Sequence, residues 1–578
     1  MAARRAHRRR TGFVVPWWAV SVLVMLVSAG PAHGYVGPGA GFTFVGSFLA
    51  LFIALLLGVL VFITSPVRMV IRALRRRRVR TAASCSRVVI VGLDGMSPVL
   101  AERMIRQGRL PNLAKLAESG TFRPLRSTAP SASPVAWSTF QTGTNPGKHG
   151  IFDFLKRDLG TYAIDLSSAR VRPPRRTLKF GGRRIPLGKP SVRLLRKSQP
   201  FWKILGEHGI FSAVLRVPIT FPPEKFHGVI LSGMCVPDLR GTQGSFTFFT
   251  TAGGGGDRYT GGMRIPVKWA DGRITSAILG PANPLRPAEG PLETRFTVTR
   301  DAAKDSATLR LDGQKVELKP GTYSPWVRLR FHAAPLINVS GICRFYLSEL
   351  TPEFKLYVTP IHIDPDRPAL PISHPFSYAP YLAKRFGPYA TLGLAEDTWA
   401  LNEHVISHEA FLEQTWSIHA EHEKLFFDAL DKVREGLVAG VFDITDRAAH
   451  IFWHFTPEAR GAGGTGGAPG PTGYEHVLEE VYERMDAMIG RVSSRLGRRD
   501  VLIVMSDHGF TSFDRCVDLN TWLREHGFLV LKTGADAGAE YAGSPWFLSA
   551  QMTSPSAKLP LYICHALRAS RPAPQSIA

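Results

Sequence analysis

Two short apolar runs near the ends of the soluble part of the chain each stop abruptly at acid. Val88 to Leu93 leads into Asp94, and Val501 to Met505 leads through Ser506 into Asp507 and His508. Runs this short, apolar at alternating and intervening positions and bounded by polar clusters, read as strands buried on both faces, as in a parallel sheet. Helical patterning follows or precedes them. The stretch from Met104 to Leu116 is expected to be largely helical with Gly120 as its stop, and helices are also expected over 409–434 and 475–496. In the last of these, Leu478, Val481, Met485, Met488, Ile489 and Val492 fall at core spacing. The predicted fold is therefore α/β, a central sheet flanked by helices. Ligand crevices of open parallel sheets lie at the carboxyl ends of the strands, so Asp94 and the Asp507-His508 pair are expected at one site.

The region between the two strand ends is not uniform. Residues 156–198 are basic and rich in proline and glycine, whereas 250–345 has the alternation of β-structure. Leu309 and Leu311 alternate with polar residues, Asp312-Gly313 is a hairpin signal, and Val316 and Leu318 resume the pattern. The expected organisation is a first core part over 87–249, a β-rich insertion over 250–395, a second core part over 396–530 and an atypical tail over 531–578. The Gly/Pro/Ala run from 461 to 473 reads as a surface loop, since it lacks the strand and the G-K-[ST] ending of a P-loop.

Charge and cysteine usage remove several function classes. The formal charge of +25 suggests nucleic-acid binding, but most of it is local: residues 1–80 hold twelve arginines and no acid, and 156–198 hold thirteen Lys/Arg against two Asp. The remainder is nearly neutral, so a solvated loop or contact with anionic lipid is the better reading of the basic segment. With 578 residues, 44% of them hydrophobic, the chain is no disordered tail. Its five cysteines form no C-x-x-C and suggest neither a disulfide framework nor a cysteine zinc site.

The N-terminus reads as a membrane end. Residues 1–34 combine an arginine cluster, an apolar run and an Ala-His-Gly close resembling a cleavage site, the pattern of a signal peptide or signal anchor. Residues 42–63 are free of charge over a length that crosses ~30 Å of hydrocarbon and are expected to be a transmembrane helix. The basic linker 64–86 that follows places the catalytic domain on the cytoplasmic side of the cell membrane by the positive-inside rule.

Three clusters carry metal-hydrolase chemistry. Hard carboxylate oxygens together with imidazoles suit zinc or manganese. Asp94 after its strand is either a ligand or the cap of the next helix. Asp446 and His450, four apart, share one face if helical and reach one ion, or else form a surface pair. Asp507 and His508 are adjacent on a turn and clasp one ion from two directions, unless the turn is all there is. A hydroxyl nucleophile is available in the segment 129–139, where Ser131, Ser133, Ser138 and Thr139 are all candidates that spacing does not separate.

The segments VIVGLDG (89–95), LPNLAKLAESG (110–120), PSASPVAWSTFQTGTNPGKHGIFDF (130–154), FDITDRAAH (442–450) and VMSDHGF (504–510) resemble, in order, the type I phosphodiesterase/nucleotide pyrophosphatase family of the alkaline phosphatase superfamily. The resemblance implies an alkaline-phosphatase-like sheet and two divalent metal ions, zinc or manganese. It assigns the nucleophile to Ser133 and a phosphoseryl intermediate to the reaction. Asp94, Ser133, Asp507 and His508 match the ligands of the first ion, Asp446 and His450 those of the second, and His149 is left as structural. The partner it implies is a phosphate-ester substrate; the N-terminal segments add membrane lipid, and the local distribution of charge argues against nucleic acid.

Two departures bear on activity. Pro134 has no N–H, so the backbone oxyanion donor that follows the nucleophile in nucleotide pyrophosphatases is lost, and the Asn that helps bind phosphate there has no match near Asp153 and Phe154. A phosphomonoester or phosphonate substrate, or a phosphotransfer reaction, thus stays open beside a phosphodiester. The second metal also lacks its downstream histidine. His454, on the same face if the helix continues, and His565, in the tail, are the replacements offered, and without one the chain is an impaired hydrolase or an alkaline-phosphatase-fold membrane scaffold. The Cys-x-Pro-x-Arg pattern of sulfatases is absent around Ser133.

The arginine distribution makes a topological prediction. A reporter fused after residue 90 should be active if it requires the cytoplasm and silent if it requires export; strong activity of an export-dependent phosphatase fusion would reverse the orientation.

Overall fold

The computed structural model describes residues 84–512 except 158–163, 173, 175, 181–182, 187–189, 254–260, 302, 335–336 and 461–472, together with 55, 56, 59, 63, 64, 522 and 525–527. The chain divides into two compact units, 1–74 and 75–578. The signal segment, all but isolated positions of the 42–63 run, most of the basic linker and the tail lie outside the described residues. Among the described residues no helix is long and apolar enough to cross a membrane.

In chain order, the elements that build the core and its insertion are β1 (Arg87–Leu93), α1 (Pro98–Arg106), α2 (Pro111–Ser119), α3 (Ser133–Thr142), α4 (Phe201–Glu207), β2 (Ser212–Leu215) and β3 (Gly228–Leu231). After these come β4 (Arg273–Ala282), β5 (Pro291–Asp301), β6 (Ser306–Leu311), β7 (Gln314–Leu318) and β8 (Ser373–His374). The series closes with α5 (His408–Lys432), β9 (Gly436–Phe442), α6 (Ile444–Phe452), α7 (Val477–Ser493) and β10 (Asp500–Met505). The central sheet has the order β8-β3-β2-β9-β1-β10. All its pairings are parallel except that of β8 with β3. It is a mixed sheet flanked by helices, the α/β architecture expected.

Both faces of the sheet are covered at β1 and β9, which are apolar apart from Arg87 at the foot of β1. The expectation that Val501–Met505 is buried on both faces is corrected: β10 is an edge strand that leaves Val501 and Ile503 each 42% exposed among the described residues. On one face Ile90, Val214, Ile230, Ala439 and Val441 pack against Trp137 of α3 and Trp202 of α4. On the other, Val89, Val91 and Leu93 share a cluster with Leu100 and Met104 of α1, Leu113 of α2 and the α7 residues Leu478, Val481, Met485, Met488, Ile489 and Val492. Two polar ties hold these helices in register. The start of α2 has no side-chain cap of its own, and Asp486 of α7 supplies one, accepting from the backbone N–H groups of Asn112 at 3.1 Å and Leu113 at 2.7 Å. Arg87 at the foot of β1 donates to Leu430 O and Val433 O, each at 2.9 Å, and pairs with Asp500 at 2.6 Å.

One helical expectation is corrected. The stretch from Met104 to Leu116 is two helices, because Gly108 turns the chain at φ +74° and Pro111, fixed in φ and without an N–H, opens a new helix. Gly120 closes the second.

Between β3 and β8 the chain leaves the central sheet for structure that is antiparallel except where Phe246–Thr250 and Gly262–Pro266 pair in parallel. One four-stranded sheet has the order β4-β5-β6-β7. Another joins Gly262–Pro266, Phe246–Thr250, Lys355–Val358 and Phe345–Glu349, and a third joins Val327–Ala334, Ile337–Cys343 and His362–Ile363. The Asp312-Gly313 hairpin forms as its residue types require, with φ of +46° and +74°, the two left-handed positions of a type I′ turn. The basic segment contributes two-stranded ribbons, one of which pairs Ala169–Arg172 with Ser191–Leu194.

Close approach fixes one glycine of β1. A Cβ on Gly92 would lie 2.4 Å from Trp137 Cη2 and 2.9 Å from Val441 Cγ2. Gly92→Ala should therefore cost about 1–3 kcal/mol through overpacking, read as a lower urea midpoint at unchanged m-value.

Candidate metal and nucleophile site

Four segments end at the same place. β1 delivers Asp94, β10 delivers Asp507 and His508, β9 runs into α6 with Asp446 and His450, and α3 begins at Ser133. Asp94, Asp507 and His508 each place one ligand atom within 4.8 Å of the others. His508 Nε2 lies 3.5 Å from Asp94 Oδ1, 3.6 Å from Asp507 Oδ2 and 3.8 Å from Asp446 Oδ1. Ser133 Oγ is 3.1 Å from Asp94 Oδ1 and 3.0 Å from His508 Nε2. His450 Nε2 is 3.4 Å from Asp446 Oδ1, one helical turn away on α6, so all six residues picked from the sequence share one crevice.

Local structure accounts for the convergence. Gly95 takes φ +67°, and a Cβ there would stand 2.9 Å from Asp446 Oδ1 and 3.0 Å from its Cβ, so only glycine lets α6 approach the end of β1. Thr445 Oγ1 donates to Asp94 O and Gly95 N donates to Asp507 Oδ1 at 3.2 Å, which ties α6 and β10 to the same turn. Ser127 Oγ donates to Asp507 O at 2.7 Å and anchors the loop that leads to Ser133. Arg216, just past β2 at φ +55°, bridges Gly393 O at 3.1 Å and Asp443 Oδ2 at 3.3 Å, and so fixes the residue that begins α6.

Trp137 is a participant the sequence reading missed. Its Nε1 donates to Asp94 Oδ2 at 3.0 Å, leaving Oδ1 for Ser133. The available signal was its position, one helical turn after Ser133 and so on the same face of α3. His508 Nδ1 lies 2.9 Å from Gly509 O; donation there puts the ring proton on Nδ1 and turns the Nε2 lone pair toward Ser133 and the carboxylates.

Burial, then the carboxylates of Asp507 and Asp446, push the Asp94 carboxyl well above its ordinary range. Burial also raises Asp507, with His508 opposing. For Asp446 burial acts upward, but His450, His508 and Arg447 outweigh it and bring the group down to about 2. Burial disfavours a charged His508 ring, yet Asp507 and Asp446 raise it overall. Asp446 Oδ1 and Asp507 Oδ2 are buried with no hydrogen-bond partner. Unpaired buried carboxylate oxygens facing an imidazole lone pair are the donor set a hard divalent ion accepts, so the residues fit a metal.

Two other histidines are placed differently. His149 is buried and structural: its Nδ1 accepts from Ile151 N at 3.2 Å, so its Nε2–H faces Thr139 Oγ1 at 3.0 Å, and burial with Arg196 lowers it to about 4. His454 does not extend the face of Asp446 and His450. α6 stops at Phe452, and Trp453–Phe455 forms a 3₁₀ turn with the His454 ring against Phe455, centroids 3.8 Å apart. Buried Trp453, bonded to Ser512 Oγ and packed on Phe510, pulls the chain out of the helix. His565 lies outside the described residues.

The family model for type I phosphodiesterase / nucleotide pyrophosphatase matches residues 88–279 and 371–553. The chain belongs to this family. No curated protein and no solved structure matches it. The family acts on phosphate esters and typically depends on divalent metal, in keeping with the Asp/His group at the strand ends. The unmatched stretch, 280–370, lies within the β-rich excursion and holds β5, β6 and β7.

The raised Asp94 carboxyl gives a signed expectation. In the metal-free fold Asp94 keeps its proton to higher pH than in the unfolded chain, so its contribution to stability is full below pH ~4 and is lost as pH rises through the raised value. Metal binding needs the ionised form and strengthens over the same range. The Tm difference between zinc-loaded and EDTA-stripped protein should therefore widen from pH 5 to pH 8, measured by scanning fluorimetry.

Proposed function

We propose that this chain is a membrane-anchored, metal-dependent phosphate-ester hydrolase in which Ser133 is the nucleophile and a phosphoseryl intermediate forms. The observation that carries the reading is the place of Ser133 Oγ, 3.1 Å from Asp94 and 3.0 Å from His508 at the focus of three buried carboxylates. Asp94, Ser133, Asp507 and His508 would hold a first ion, zinc or manganese, and Asp446 with His450 a second. Such ions, when bound, acidify a hydroxyl and offset charge on phosphoryl oxygens.

The chain's own groups do the rest. Trp137 orients the Asp94 carboxylate through Oδ2, and Asp94 Oδ1 together with His508 Nε2 holds Ser133 Oγ, so the hydroxyl enters the reaction with one orientation. Attack on phosphorus forms the Oγ–P bond as the ester P–O bond breaks, and water then cleaves the phosphoserine, which divides one difficult displacement into two. Pro134, at the second position of α3, removes a backbone donor from the helix start beside the nucleophile. Nucleotide recognition is therefore not part of this reading: a phosphodiester is the first choice, with a phosphomonoester or phosphonate as variants. The 42–63 run would anchor the chain with its catalytic domain on the cytoplasmic side.

Among the described residues only Asp94, Asp507 and His508 form a three-ligand group. Half-exposed His450 gives Asp446 one imidazole partner on α6. The first ion should bind more tightly than the second, and elemental analysis after dialysis should give nearer one equivalent than two. Ser133→Ala should lower kcat on bis-p-nitrophenyl phosphate by at least ~10³-fold with the fold intact. Ser138→Ala should be mild, since its hydroxyl only returns to Pro134 O in its own helix at 2.6 Å. Normal turnover by Ser133→Ala would exclude the mechanism, and no turnover by the wild-type protein with metal bound would favour the scaffold reading.

A further inference from the structure

The outer face of the β4-β5-β6-β7 sheet carries a charge arrangement that the fold does not require. Register places Thr275, Thr297, Arg310 and Lys315 directly opposite one another across all four strands, in a single row. Arg295 stands next to Thr297 on the same face of β5, with its side chain 80% exposed. Their alternate neighbours Ile274, Phe296, Val298, Leu309 and Leu311 point into the core, so the row is committed to the outside. These residues, with the Asp312 carboxylate beside them, line a shallow, open recess of about 430 Å³.

Arg310 and Lys315 form a like-charge pair at the closest cross-strand distance, an arrangement that destabilises a sheet. Neither has an acidic partner within 4 Å among the described residues, whereas neighbouring charges are matched: Arg295 pairs with Glu293 at 3.2 Å and Asp312 with Arg330 at 3.6 Å. Two uncompensated cations side by side suit an anion that carries two charges on one centre, which a phosphate monoester does and a carboxylate does not. The Thr275 and Thr297 hydroxyls continue the row as neutral donors and acceptors, fitted to hydroxyl groups of the same ligand. No exposed large apolar side chain lies on this sheet, so it offers neither an anchor for a bilayer nor a stacking surface for a base.

We propose that this recess binds a soluble phosphorylated polyol, with its phosphate between Arg310 and Lys315 and its hydroxyls on Thr275 and Thr297. The site shares no residue with the crevice around Ser133, and its occupancy is independent of metal.

The test uses full-length Ser133→Ala protein in EDTA, titrated calorimetrically with glycerol 2-phosphate and, separately, with inorganic phosphate. The expected result is one saturable site, tighter for glycerol 2-phosphate, and weakened at least tenfold in the Arg310→Thr/Lys315→Thr variant. The Tm of that variant should be unchanged or higher, since a repulsive pair is removed, and Lys315→Thr alone should show the same directions in smaller measure. Glu317→Gln, one pleat further along β7, should leave binding within twofold. Unchanged affinity in the double variant, absence of binding in EDTA, or binding only to phosphatidylglycerol vesicles would each overturn the assignment.

Discussion

Three carboxylates, Asp94, Asp446 and Asp507, are buried within reach of one imidazole, and no fold brings that much negative charge together without a means of neutralising it. Bringing one carboxylate out of water is costly, and a second and third nearby raise the cost further. In the metal-free chain the relief comes from holding a proton on Asp94 and from the cationic tendency of His508. A divalent ion does the same task with more charge in a smaller volume. Proton and metal would compete for this crevice, because burial and the mutual repulsion of the carboxylates both call for a positive charge there.

The rest of the core is arranged so that this charge cannot relax by moving apart. Gly92 admits the indole that grips Asp94, and Gly95 admits the helix that carries Asp446. Arg216 holds the head of that helix through Asp443, while Thr445 and Ser127 stitch the loops to the strand ends by their hydroxyls. Each tie crosses between different strands or helices, so the separation of the acids is set by the sheet and not by any one loop. A site held this way keeps its geometry before a ligand arrives, and little ordering remains to be done on binding.

Much of this was legible in the sequence because strand ends and helical spacing are local signals. Val88 to Leu93 and Val501 to Met505 read as strands, Asp312-Gly313 as a turn, and the i, i+4 pair Asp446 and His450 as one helix face. Periodicity stops being informative where tertiary packing overrides it. His454 continues the spacing of His450, but Trp453 buries its own side chain by bending the backbone into a 3₁₀ turn. Trp137 was passed over because an aromatic at helical spacing reads as core, which it also is; its indole N–H has a second use that no pattern records. The role of Gly95 is likewise set by an α6 that lies far along the chain.

The antiparallel region leaves the central sheet after β3 and returns at β8, and these two strands are hydrogen-bonded neighbours at one edge. Its two points of attachment are thus a single strand spacing apart, about 4.8 Å. An excursion that starts and finishes at the same doorway can grow, shrink or be exchanged without altering the order of the strands that bear Asp94, Asp446 and Asp507. The family match breaks off inside this excursion and resumes where the chain comes back, at residue 371. The central sheet and the outer strands can therefore diverge at different rates, the first constrained by the acids it must hold and the second free of that constraint.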